Sequence, residues 1–74
     1  MRTASDVLTN PKPGDVIQIR LGWTRTVLTN DGEHVQFMAT YNGMKNCGLY
    51  SVQTARWASS LDGMATTEVL HVAE

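Results

Sequence analysis

The stretch from Gly14 to Tyr50, GDVIQIRLGWTRTVLTNDGEHVQFMATYNGMKNCGLY, decides the fold. Ile17, Ile19 and Leu21 alternate with Gln18 and Arg20, the period of two that marks a half-buried strand over Asp15 to Leu21. Gly22 permits a bend. Trp23 to Thr29 is rich in β-branched and aromatic residues and reads as a second strand. Glu33 to Tyr41 reads as a third, with Val35, Phe37, Ala39 and Tyr41 on one face. Asn30-Asp31-Gly32 and Asn42-Gly43 are hairpin signals on either side of it. Met44 to Tyr50 then reads as a fourth strand, interrupted by Gly48.

The first turn decides what is buried. A two-residue Asp31-Gly32 loop sets Leu28 opposite Val35. A three-residue Asn30-Asp31-Gly32 loop, with Gly32 left-handed, sets Val27 opposite Val35 and Trp23 beside Ala39. One residue of slip exchanges every side chain between faces. The three-residue form is the better reading, and it leaves Leu28 exposed.

Outward from this stretch the signals thin. Residues 1–13 form a polar lead that the prolines at 11 and 13 keep extended. Ser51 can cap a short helix from Val52 to Leu61, with Ala55, Ala58 and Leu61 on one stripe and Gly63 as terminator. A strand through residues 50–54 is the alternative. Thr66 to Ala73 closes the chain as a last strand, Val69 and His71 facing one way, Leu70 and Val72 the other. The expectation is a mainly β fold: an SH3-like antiparallel barrel of about five strands, one short helix preceding the last, with residues 14–74 as a single domain. An OB-type barrel and an open α+β sheet share part of this pattern.

With 74 residues, one small core is available. The net charge of -1 lacks the basic excess of a generic nucleic-acid binder. Cys47 is the only cysteine, so no intrachain disulfide forms, which suits a cytoplasmic protein. There is no apolar run of membrane-spanning length and no apolar segment of a secretory signal near Met1.

Pro13-Gly14-Asp15-Val16-Ile17, Arg20, Gly22, Arg25 and Val27, then Cys47, Thr54, Arg56, Trp57 and Ala58, resemble small proteins common in bacteriophage and prophage genomes. The shared elements are a Gly-Asp entry, an Arg-x-Val hairpin and an Arg-Trp-Ala segment. They cover about half the chain. Ala55 stands where those proteins often carry a second aromatic, and they are more basic. The resemblance implies a phage provenance, hence a host-cytoplasmic location, and a small barrel fold.

Cys47, His34 and His71 are the only soft metal ligands and lack paired spacing, so neither a metal nor another cofactor is expected. No nucleophile elbow, phosphate loop or paired-carboxylate motif is present, so the reading is not an enzyme. The candidate binding residues are Arg20, Trp23, Arg25, Tyr41, Tyr50, Arg56 and Trp57, because tryptophan, tyrosine and arginine anchor binding surfaces. Trp57 serves equally well as a plug closing the barrel. Leu28 and Met38, both facing outward, are candidates for an interface between copies, with Met44 and Met64 adding to an adaptable apolar patch. The leading expectation is a non-enzymatic, phage-type accessory or anti-defence protein. It would block a host protein or sequester a small anionic molecule, in oligomeric form. A nucleic-acid-binding barrel and a virion assembly component are the alternatives.

Overall fold

The computed structural model describes residues 1–19, 22–41, 44–61 and 68–74. The chain runs α1 (Ala4–Thr9), β1 (Val16–Gln18), β2 (Trp23–Asn30), β3 (His34–Tyr41), β4 (Met44–Gln53), two 3-10 turns (Thr54–Arg56 and Ser59–Leu61) and β5 (Glu68–His71). The strands form one antiparallel sheet in the order β4-β3-β2-β1-β5. This is the expected mainly β architecture of about five antiparallel strands, but its one short α-helix precedes β1 and not the last strand. Among the described residues no ladder joins β4 to β5, so backbone hydrogen bonds do not close the barrel.

The core is the set the alternation marks. Ile17, Ile19, Val27, Val35, Phe37 and Ala39 are buried, joined by Val7, Trp57 and Leu61. Leu21 lies outside the described residues.

The β2–β3 hairpin buries the expected side chains by a different register. Asn30 pairs with Val35, and Val27 pairs with Phe37 rather than Val35. The Asp31 carboxylate accepts from the amides of Glu33 and His34, each at 2.8 Å, and Asn30 Oδ1 accepts from the Gly32 amide at 3.0 Å. These bonds draw the loop to Asp31-Gly32-Glu33, with Gly32 left-handed at φ +92. A bulge between Val27 and Thr29 then returns Val27 to the inner face and leaves Leu28 39% exposed. In consequence Arg25, not Trp23, lies beside Ala39, and Trp23 faces Tyr41.

The helix expected over residues 52–61 does not form. β4 continues to Gln53, because Val35 pairs with Val52 and Val52 packs against the core. The chain then turns through 3-10 geometry, which leaves Ala55 and Ala58 exposed and brings Leu61 inward. Likewise Val69 and Val72 both pack on the core, although strict alternation would separate them. The β1–β5 ladder shifts register between Val16 and Ile17. The expected Asn42-Gly43 turn, the Gly63 terminator and the start of the last strand at Thr66 lie outside the described residues.

The lead is not extended throughout. Thr3 has extended backbone at φ -116, and its amide donates to Asp6 Oδ2 at 2.8 Å, closing the first turn of α1. Pro11 lies beyond the end of α1, where it cannot extend the helix. Val7 is wholly buried. Its carbonyl, one of those an α-helix end leaves without an intrahelical partner, accepts from Trp57 Nε1 at 2.9 Å.

Arg2 and Asp15 fasten the chain around this helix to the segments flanking β1 and β5, neighbours at one edge of the sheet. Asp15 is wholly buried. Arg2 meets its two carboxylate oxygens at 2.5 and 2.7 Å as a planar fork. The amides of Lys12 and Ala73 donate to the same carboxylate, each at 2.8 Å. Arg2 also donates to the carbonyls of Ala73 and Asn10.

Candidate functional site

The inner face of β2, β3 and β4 brings together residues far apart in sequence. Trp23, Arg25 and Val27 are two apart on β2 and share that face. The pairing places Val69, Ile17, Arg25, Ala39 and Gly48 in one row across the sheet. The next row holds Val27, Phe37 and Tyr50. Arg25 therefore stands in a row whose neighbours on β3 and β4 have almost no side chain.

That space admits the guanidinium and the Tyr50 ring. The Arg25 guanidinium carbon lies over the Phe37 ring, 4.6 Å from its centroid, and 5.8 Å from that of Trp57. Arg25 Nη1 donates to Ser60 Oγ at 3.2 Å, and Ser60 Oγ donates to the Trp57 carbonyl at 2.6 Å. Burial pushes the guanidinium pKa down, although it remains a cation at neutral pH. Among the described residues no carboxylate pairs with it.

Tyr50 covers the adjoining ground. Its ring stacks on Phe37 at 5.9 Å and an interplanar angle of 26°, yet the residue is 52% exposed. It lies back over Gly48, where a Cβ would approach ring carbon Cε2 to 2.6 Å. Trp23 and Tyr41, both half-buried, pack on each other at 5.0 Å in the row beyond.

Four of the expected binding residues, Trp23, Arg25, Tyr41 and Tyr50, thus share one face. Trp57 lies beneath them, its ring 5.8 Å from the Arg25 guanidinium, and is not on the accessible face. It is wholly buried, packs edge-on against Phe37 at 5.4 Å and acts as the plug. Arg56 is exposed on the preceding turn, and nothing ties its guanidinium to Arg25 among the described residues. Arg20 lies outside the described residues.

Sequence reading passed over Phe37 and Ser60. Phe37 supplies the surface on which Arg25 rests, a relationship fixed by the hairpin register. Ser60 sits on a turn that carries no periodic signal. Of the candidate interface residues, Leu28 stands on the bulge, and Met38 is half-buried on the outer face.

Other features carry less chemistry. His34 and His71 are exposed, and the described residues contain no cluster of three or more metal-ligating side chains. Cys47 and the patch residues Met44 and Met64 lie outside the side chains described. An open groove of about 540 Å³ runs past Arg2, Asn10, Lys12 and Asn30. Two of its polar side chains are already engaged: Arg2 with Asp15, and Asn30 with the Pro11 carbonyl, the Gly32 amide and the Thr54 hydroxyl. No helix among the described residues is long and apolar enough to cross a membrane. No protein-family model, curated protein or solved structure matches this chain.

Proposed function

We propose that this chain is a small binding protein of the phage-accessory kind, acting without catalysis, and that the Arg25 face takes an anionic group. That group belongs to a small molecule or to the surface of a host protein. One observation carries the reading: a half-buried guanidinium rests on an aromatic ring and has a single side-chain hydrogen bond, to Ser60, among the described residues. Withdrawing a cation from water without a counter-charge is unfavourable. An incoming carboxylate or phosphate restores the balance and matches the fork of remaining donors. The exposed Tyr50 ring offers a flat apolar surface beside it.

The test is native mass spectrometry of the protein purified from host cells, followed by titration of whatever mass is retained. Arg25→Gln should abolish retention while Arg56→Ala leaves it intact. Equal retention by Arg25→Gln would remove the proposal. A ring beside a cation also grips single-stranded nucleic acid. That reading requires binding at low salt that falls steeply as salt rises.

A further inference from the structure

The ring of Phe37 is a floor that two groups share. The Arg25 guanidinium carbon lies 4.6 Å from its centroid, and the Tyr50 ring stacks on it at 5.9 Å. A cation and a half-exposed aromatic ring are therefore neighbours on one face. Tyr50 does not stand upright on the sheet. Its Cε2, Cζ and hydroxyl oxygen lie over Gly48, which belongs to the row of Arg25 and Ala39. The phenol thus leans out of its own row into that of the guanidinium. Gly48 permits this, because a Cβ there would meet Cε2 at 2.6 Å.

The surroundings suit a phosphate. Ser60 accepts from Arg25 Nη1, and among the described residues nothing else accepts from the guanidinium. The rest of its fork is open to a cluster of oxygens. On β2, β3 and β4 the described side chains on either side of Arg25 are Trp23 and Tyr41 in one row, and Val27, Phe37 and Tyr50 in the other. None is acidic. A bare carboxylate or phosphate would answer the cation and leave the outer surface of Tyr50 wet. A molecule with a flat ring close to an oxyanion covers both. The net charge of -1 supplies no track of cations for successive phosphates, which favours one nucleotide over a strand.

We propose that the ligand of the Arg25 face is a nucleoside monophosphate, its phosphate on the Arg25 fork and its base stacked on the exposed surface of Tyr50. This rests on the anion reading of Arg25 and adds the ring. Stacking on an aromatic side chain accepts every base, so one nucleotide stands for the class.

The test uses the full chain and titrates it by calorimetry and NMR with adenosine monophosphate, with ribose phosphate, which lacks the ring, and with adenosine, which lacks the phosphate. The monophosphate should bind at least about tenfold more tightly than either part. It should move the Tyr50 ring protons upfield, and ribose phosphate should not. Tyr50→Leu should bring the monophosphate down to the affinity of ribose phosphate, and Tyr50→Phe should restore the difference. Arg25→Gln should weaken both phosphates. Equal affinity for the monophosphate and ribose phosphate, each lost in Arg25→Gln, would overturn the nucleotide and keep the anion. A monophosphate bound as well by Arg25→Gln as by the wild type would overturn both readings. Binding of none of the probes would overturn the nucleotide, and the mass retained in the native spectrum would still decide the anion. A single-stranded oligonucleotide held far more tightly than the monophosphate, with the difference erased by salt, would overturn it in favour of a strand.

Discussion

The indole Nε1 of Trp57 donates to the backbone carbonyl of Val7 across 2.9 Å, and both residues are wholly buried. This bond spans the core from the turn after β4 to α1. It makes a six-residue helix, too short to persist alone, a component of the packed interior.

Trp57→Phe keeps most of the apolar volume and removes the donor. It should cost about 1–3 kcal/mol, the range for leaving a buried carbonyl without its partner. Trp57→Ala should cost about 3–5 kcal/mol through the cavity it leaves. Urea denaturation followed by circular dichroism measures both, and a Trp57→Phe midpoint equal to wild type would show that the bond contributes nothing.

Asp15 is expected to weaken the fold in acid. Burial pushes its carboxyl up, but the hydrogen bonds from Arg2, Ala73 and Lys12, with the charge of Arg2, outweigh this and hold it below the ordinary value. A carboxylate depressed in the folded state stabilises it above the unfolded value of about 3.9, and that contribution is lost as pH falls through the lower folded value. Wild-type stability should therefore drop below about pH 4. Asp15→Asn should be less stable at neutral pH by roughly 3–5 kcal/mol, the scale for breaking a buried hydrogen-bonded charge pair. Its melting temperature should also vary less between neutral and acid pH. Parallel pH slopes for the two proteins would refute the assignment.

Gly48→Ala brings a methyl group against the Tyr50 ring. That ring is half-exposed and can swing outward, so the cost should stay below about 1 kcal/mol. The informative quantity is the coupling. In a Tyr50→Ala background the same change should be neutral or slightly stabilising, and a double-mutant cycle reads the difference. Additive effects would mean that Tyr50 does not rest on Gly48 in solution.

Gly32→Ala isolates backbone strain. A Cβ there meets nothing within 4 Å, but the φ of +92 is one that residues with side chains rarely adopt. The expected loss is about 1 kcal/mol, seen as a lower thermal midpoint without change in the spectrum. Gly32→Asn should lose less, since asparagine tolerates left-handed backbone better. Equal losses would point to a different turn.

Arg25→Lys separates charge from shape. Lysine keeps the cation but gives up the planar contact with Phe37. Fold stability should change by no more than about 1 kcal/mol, while retention of an anionic ligand should weaken strongly. Unaltered retention would mean that the site reads charge alone.

The alternation of Ile17 with Ile19, and of Val35, Phe37 and Ala39, marked the buried face from sequence, because a strand with one wet side repeats every second residue. The register across Asn30 to His34 was not legible in the same way. It depends on side-chain oxygens of Asn30 and Asp31 taking turn amides, and on a bulge at Leu28 that compensates the shift. Since Arg25 owes its place beside Ala39 to that register, the site was legible in its residue types and not in its arrangement. Ser51 offered a helix cap, but the free edge of β3 offered more hydrogen bonds, and β4 prevailed to Gln53. The helix α1 escaped notice because Val7 and Leu8 are its only sizeable apolar residues and its hydrophobic partner, Trp57, is fifty positions away.

Asp15 accepts from the side chain of residue 2 and the amide of residue 73 at once. During synthesis the two donors become available far apart in time. Arg2 leaves the ribosome early, whereas Ala73 emerges only after the rest of the sheet. Until then the carboxylate has only Arg2 and Lys12 of its three donor residues, and β1 lacks β5 on one side. Contacts so far apart in sequence form late, so Asp15 gains its last donor only once Ala73 has emerged. A ribosome stalled a few codons short of residue 73 would therefore carry an open sheet, with Asp15 still drawing on water.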